Sequence, residues 1–194
     1  MPLILEGLLT TLDADGEINI APMGPIVEET MQRMTLRPYH TSHSYANLQR
    51  SRRGVFHVTD DVLLLAKACI DKLETLPPMR RMESFPGMIL ADACRWYALQ
   101  VESIDDSQPR ISIEARVVDS GVQREFIGFN RARHAVVEAA ILASRVGLLP
   151  CEDILRQFPP LATMVQKTGG PAEHEALQLL ETYVRTKSHG DTPG

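Results

Sequence analysis

The chain has 194 residues, 44% hydrophobic and 23% charged, with 20 Lys+Arg against 25 Asp+Glu for a formal net charge of -5. That length suits one packed core with at most a small appendage, and the composition excludes the disordered and fibrous classes. The acidic balance without a long basic run argues against a nucleic-acid partner, and no run of roughly 18 apolar residues is present to span a membrane as a helix.

The start, "MPLILEGLLTTLDADG", lacks the basic leader and cleavage site of a signal peptide, so a cytoplasmic location is expected. "LILEGLLTTL", "DADG" and "EINIAPMG" then read as two strands joined by a tight turn at Asp15-Gly16. "APMGP" places two prolines and a glycine directly after a strand, which predicts irregular pairing and a backbone able to lie flat against a planar ligand. "MQRMTLRPY" reads as a strand ended by Pro38. "GVFHVTDDVLLLAKACI" holds two apolar runs, the first β in character, with "TDD" as a turn or a site element. Residues 71 to 95 predict a long surface excursion, a candidate lid. "WYALQVESID", "PRISIEARVVD" and "VQREFIGF" return to strand patterning, enough in all to close a small barrel.

From Asn130 the pattern is helical. Asn130 is placed to cap "RARHAVVEAAILASRVGLL", whose middle is apolar on nearly every side and is expected to be sandwiched against the barrel. Two shorter helices are expected, "CEDILRQF" and one from about Ala172. "KTGGP" separates them, with Gly169 or Gly170 left-handed and Pro171 in the first turn. The tail "SHGDTPG" reads as floppy. The expected layout is a β-barrel over residues 1 to 128, a helical extension packed on it over 129 to 188, and a disordered tail from 189 to 194. Cys69, Cys94 and Cys151 are odd in number and lie far apart with no CxxC pair, so they read as reduced thiols rather than a disulfide framework or zinc knuckle.

The segment "LRPYHTSHSYANLQRS" carries the most chemistry. If a helix begins near Ser42, its free N–H groups form an anion-binding end, with hydroxyls from Thr41, Ser42 and Ser44 and a charged fork from Arg37. The alternative is that Thr41 or Ser42 is only an N-cap and Arg37 a surface residue. His40 and His43 have no third ligand at a persuasive spacing, so no metal is expected. His134 reads as a structural helix residue. No GxSxG, P-loop or GxGxxG motif appears, and no catalytic residue is identified; a phosphorylated cofactor fits better than side-chain chemistry.

"EGLLTTLDADGEINIAPMGPI", "LRPYHTSHSYANL" and "GVFHVTDD", in that order, resemble the FMN-binding split-barrel proteins related to flavin reductases, specifically the family of unknown function DUF447. The similarity extends through "FNRARHAVVEAAILASRVGLLP" and "KTGGP", covering nearly the whole chain. The resemblance implies an α+β, mainly β fold: a split β-barrel with a helical C-terminal extension. It also implies a homodimer with FMN near the interface. Arg37, Ser42 and Ser44 would hold the FMN phosphate, with Asn47 at the first helical turn supporting them. Asn19, Ala21, Pro22, Met23 and Gly24 would run beside the ring, with Thr59 and Asp60 as further candidates. His57 stands where many relatives have Asn, and "QPRIS" replaces the flavin reductases' GDH motif. The implied activity is an FMN-dependent oxidoreductase acting on a small organic substrate. The alternatives are a non-catalytic FMN carrier and a non-flavin interaction protein.

Overall fold

The computed structural model describes residues 3–108 and 110–190. In chain order the elements are β1 (Leu3–Ile4), β2 (Gly7–Leu12), β3 (Ile18–Met23), β4 (Ile26–Val27), β5 (Arg33–Leu36), α1 (His43–Ser51), β6 (Arg53–Val58) and α2 (Val62–Cys69). They continue with β7 (Met79–Arg81), β8 (Met88–Leu90), β9 (Arg95–Asp105), β10 (Ser112–Val122), α3 (Arg131–Ala143), α4 (Cys151–Leu155), α5 (Phe158–Thr168) and α6 (Pro171–Gly190). The chain divides into two compact units, Met1–Thr59 with Thr75–Phe126, and Asp60–Glu74 with Ile127–Gly194.

The first unit is a curled, antiparallel, eight-stranded sheet in the order β1-β4-β5-β10-β9-β6-β2-β3. Its two edges are halves of one long hairpin. β2 pairs with β3 and β1 pairs with β4, while the amide of Leu5 donates to the Pro25 carbonyl at 3.1 Å between them. The sheet therefore turns its corner where Leu5–Glu6 faces Gly24–Pro25, and the half-barrel closes there. Gly16, at φ 87°, supplies the left-handed backbone that the β2–β3 turn requires.

Leu9, Met34, Leu36, Leu48, Phe56, Leu99 and Ile113 fill the barrel interior. On the other face of β6, Val55 packs with Met82, Phe85, Ile89, Trp96 and Ala98. That second cluster covers the outer face of β6, so "GVFHV" is buried on both sides.

Several expectations are corrected. "APMGP" does not deny pairing: Ala21, Pro22 and Met23 stay in register with Leu9, Leu8 and Gly7. β3 is an edge strand, so the missing Pro22 N–H costs no ladder bond. The excursion over 71 to 95 is not a bare surface loop; it contains the β7–β8 hairpin, whose apolar side chains build the second cluster. "VQREFIGF" is not a strand, because β10 ends at Val122. The second apolar run after "TDD" is α2, with the Asp61 carboxylate accepting the Leu64 amide as its N-cap.

The second unit is helical. Asn130 caps α3 as expected, its Oδ1 accepting the amides of Ala132 and Arg133. Ala132, Ala135, Ala139, Ala140 and Ala143 are buried, and these small side chains let α2, α5 and α6 of the same unit approach α3 closely. The apolar faces of α3 are thus covered by its own helical neighbours. A further helix, α5, went unread because Pro159 and Pro160 look like breakers. They stand in its first turn, where a missing N–H is harmless. Neither Gly169 nor Gly170 is left-handed; Gly169 is extended at φ -89°. Pro171 opens α6 as expected, and α6 runs through Gly190; residues 191 to 194 of the expected tail lie outside the described residues. None of the three cysteines is in a disulfide; Cys94 is buried and the other two are half-buried. Burial pushes the Cys69 thiol up to about 11, and its Sγ donates to the Ala140 carbonyl at 3.2 Å. No described helix is long and apolar enough to cross a membrane.

Candidate functional site

Met34 and Leu36 of β5 point into the core, so alternation turns Arg37 the other way before Pro38 ends the strand. The Nε of Arg37 is buried and has no hydrogen-bond partner. A buried guanidinium N–H without an acceptor is costly, and an anion oxygen is the acceptor that suits it best.

Five residues further on, Ser42 is the N-cap of α1. Its Oγ accepts the Tyr45 amide at 3.2 Å and donates to the Tyr39 carbonyl at 2.8 Å. The amides of His43 and Ser44 begin the helix with no intrahelical acceptor, and the first turn carries no acidic residue. Thr41 is exposed just outside this start. The cap reading and the anion reading of "TSHS" are therefore compatible.

Behind the helix start lies a polar network within the barrel unit. The Asn19 Nδ2 donates to Ser44 Oγ at 3.1 Å and to Thr11 Oγ1 at 3.3 Å, and the Asn47 Nδ2 donates to Thr11 Oγ1 at 3.0 Å. Thr11 and Ser44 are each 2% exposed. Asn47 falls in the second turn of α1 and ties that helix to β2. Thr11 was missed from sequence, although two threonines in an otherwise apolar strand were a visible signal. At the outer side, Tyr45 Oη donates to Asp106 Oδ2 at 2.8 Å, and this bond raises the Tyr45 hydroxyl above its ordinary pKa. His40 packs edge-on against the Tyr45 ring and lies 3.2 Å from the Gln108 carbonyl. The turn after β9 is in this way fastened to the loop before α1.

Ala21, Pro22 and Gly24 are half-buried and Met23 is buried, leaving the outer edge of β3 as a partly open strip. Thr59 is half-buried at the end of β6. Asp60 belongs to the helical unit, where its Oδ2 accepts the Ile127 amide at 3.2 Å and lies 3.3 Å from Arg133 Nη1. His57 is a core histidine: the Leu90 amide donates to Nε2 at 3.1 Å, which leaves the proton on Nδ1 facing the Leu8 carbonyl at 3.3 Å. Burial pushes its pKa down to about 4, against the pull of its backbone acceptors.

A pocket of about 420 Å³ opens between the β2–β3 turn, the C-terminal end of α1 and the loop before β8, lined among others by Thr11, Arg50, Arg53 and Gly87. It shares Thr11 with the polar network, but Arg37, Ser42, Ser44 and Asn47 do not line it. The donors at the start of α1, rather than this cavity, are the candidate anion site.

The curled sheet and its split corner define a protein of the split β-barrel fold class. Within that class the chain belongs to the family described as a protein of unknown function, DUF447, matching its N-terminal domain over residues 5–124 and its C-terminal domain over residues 130–182. Among solved structures it resembles an FMN-bound DUF447 protein from Methanosarcina mazei, at 22% identity and a TM-score of 0.80, covering 94% of this chain and 96% of that one. It is also similar to an FMN-binding protein from Thermus thermophilus, at 14% identity and TM-score 0.52, over 63% of this chain and 72% of that one. The styrene monooxygenase flavin reductase of Pseudomonas putida S12 shares 13% identity at TM-score 0.50, over 62% and 82% of the respective chains. None of the curated proteins matches the chain.

Proposed function

We propose that this protein binds FMN non-covalently and acts as a flavin-dependent oxidoreductase on a small organic substrate. The observation that carries the reading is the buried, unpartnered Nε of Arg37, one strand end away from a helix start rich in donors. Arg37, Thr41 and the amides of His43 and Ser44 hold the phosphate. Asn19 is shared between Ser44 and Thr11, which fixes the direction of the Ser44 hydroxyl, and Asn47 anchors α1 to β2.

The ring lies along Ala21, Pro22, Met23 and Gly24, where the edge strand offers backbone that is not paired on its outer side. Thr59 is left as a flanking residue. Asp60 is not assigned to the flavin, because its carboxylate is spent on Arg133 and the Ile127 amide. The chemistry that a bound FMN supplies is hydride or electron transfer through N5, and the protein contributes binding, orientation and electrostatics. His57 does not serve as an acid or base there, since both ring nitrogens are engaged and it stays neutral at pH 7.

A homodimer with the flavin near its interface completes the proposal. In support, Leu3 and Tyr39 of the barrel unit are 60% and 57% exposed, apolar surface that a second copy would cover.

The test is a visible spectrum of the purified protein before and after adding FMN and desalting. Retained flavin bands at about one per chain support the reading, and no retained flavin with no fluorescence quenching on titration overturns it. Bleaching by NADH or NADPH, followed by reoxidation with a substrate, separates an enzyme from a carrier.

A further inference from the structure

At the other end of α1 from its N-cap Ser42, the pocket of about 420 Å³ has three walls that the fold holds in place by itself. In the β2–β3 turn, the Asp13 Oδ1 accepts the amides of Asp15 at 2.9 Å and Glu17 at 2.8 Å. At the end of α1, the Arg50 Nη2 donates to the Leu12 carbonyl at 2.7 Å, and the Arg53 guanidinium lies over the Phe85 ring, 5.8 Å from its centroid. The third wall is the tip of the β7–β8 hairpin. Thr10 Oγ1 donates to the Met88 carbonyl at 2.7 Å, and a Cβ on Gly87 would sit 2.7 Å from Val55 Cγ2, so this tip lies directly on β6. The charges on these walls are separated by sign, two arginines at the helix end and two aspartates on the turn. Among the described residues, none of Arg50, Arg53, Asp13 and Asp15 is in an ion pair. A carbonyl and a ring position the guanidinium heads, and their remaining N–H groups are left to an acceptor from outside.

We propose that this pocket is a second ligand site, for a small zwitterion of the amino-acid or short-peptide class, with its carboxylate on Arg50 and Arg53 and its ammonium toward Asp13 and Asp15. An arginine fork takes a carboxylate through two parallel N–H bonds. A doubly charged anion such as phosphate is opposed by the aspartates of the turn, and a simple cation by the arginines. A molecule carrying both signs satisfies both walls. The pocket differs in this from the start of α1, whose first turn carries no acidic residue. Its volume falls among small-molecule sites, roughly 300 to 1,000 Å³, and exceeds what a lone ion needs. Pro86 and Met88 add apolar surface for a side chain. Because the walls are fixed beforehand, little ordering is left for the ligand to offset.

The test is isothermal titration calorimetry of the full-length protein with L-alanyl-L-leucine, in the presence and absence of excess FMN. The expected result is binding of one dipeptide per chain at the same affinity in both conditions. Arg53→Gln and Asp15→Asn should each weaken it about tenfold, the scale of one charge-assisted contact. Both residues are exposed, so these substitutions leave the core untouched. N-acetyl-L-alanyl-L-leucine, which lacks the ammonium, should bind the native protein about tenfold more weakly than the free dipeptide and should lose nothing further in Asp15→Asn. Inorganic phosphate should not displace the dipeptide. Absence of dipeptide binding, or binding that neither substitution weakens, overturns the proposal. Displacement of the dipeptide by FMN would put it in the flavin site and overturns the proposal as well. Equal affinity for the free and acetylated dipeptides overturns the assignment of a zwitterion.

Discussion

The side-chain amide of Asn19 lies 3.1 Å from the Ser44 hydroxyl, joining the β3 strand to the first turn of α1. The two segments proposed for the ring and the phosphate are thus one rigid element, and Thr11 holds both from below through Asn19 and Asn47.

Thr11→Val tests that rigidity. Valine has the right shape but no oxygen, so it removes the acceptor of the Asn47 amide, in a residue only 6% exposed, and one of the two acceptors of Asn19. Stranding such a donor costs about 1 to 3 kcal/mol. The expected outcome is a lower urea midpoint with unchanged m-value, accompanied by weaker FMN binding. A variant as stable as the native protein would show that α1 is positioned by its apolar contacts alone.

Arg37→Ala should act with opposite signs in the two states. Without FMN it removes a buried donor that has no partner, so stability should hold or rise slightly. With FMN it removes a charge-assisted contact of about 1.5 to 3 kcal/mol, a roughly ten- to hundredfold loss of affinity. Thermal unfolding with and without saturating FMN reads both effects.

Much of this was legible in sequence because it is local chemistry. Asp15-Gly16 marks a hairpin turn, Asn130 is a helix cap, and the hydroxyls of "YHTSHS" announce a helix start. What was hidden depends on long-range register. Glu6 meets Gly24 only because Leu5 pairs with Pro25, and Thr11 becomes a hub only when Asn19 and Asn47 converge on it. The proline-rich segments misled for a related reason. Pro22 stands on a sheet edge and Pro159 in a first helical turn, places where the residue's missing N–H carries no penalty.

His57 gives a pH dependence of defined sign. Its pKa is pushed down to about 4 in the folded chain against roughly 6.5 unfolded, so the unfolded state binds more protons between those values. The contribution to stability is fully present above about pH 6.5 and is lost as pH falls toward 4. The full swing is roughly 3 kcal/mol. Urea midpoints should fall steadily from pH 7 to pH 4.5, before most carboxylates titrate, and His57→Gln should flatten that slope.

The neighbouring glycines of "KTGGP" should respond differently to alanine. A Cβ on Gly169 would lie 2.7 Å from the Val165 carbonyl oxygen and 3.2 Å from the Cβ atoms of Ala132 and Glu173, all of them fixed. Gly169→Ala should therefore cost about 1 to 3 kcal/mol through overpacking. A Cβ on Gly170 meets only the Glu173 Oε2, at 3.2 Å, which has to give by only a few tenths of an ångström while keeping its bond from the Gly170 amide. Gly170→Ala should therefore cost less than Gly169→Ala in the same urea titration.

The helical unit has its own charged centre, and its removal should leave a stability deficit that depends on pH. Arg133 Nε donates to Glu173 Oε1 at 3.0 Å, and Nη1 lies 3.3 Å from Asp60 Oδ2, close enough for Coulombic attraction but without hydrogen-bond geometry. Both carboxylates are under a tenth exposed. Burial alone would raise the Glu173 pKa, yet the Arg133 bond and charge and the Gly170 amide together bring it below its ordinary value. Arg133→Met keeps the apolar stem and leaves two buried carboxylates without their cation, at a cost of about 3 to 5 kcal/mol. Without the guanidinium only the Gly170 and Glu173 amides oppose burial, so the folded Glu173 pKa rises from its native position. The stability that the lowered native pKa contributes above the unfolded value, and that is lost as pH falls through the folded one, is then reduced. The stability deficit of Arg133→Met should accordingly be largest at pH 7 and shrink toward pH 4. Adding Glu173→Gln should recover part of it at pH 7, and a deficit independent of pH would show that Arg133 acts only through packing.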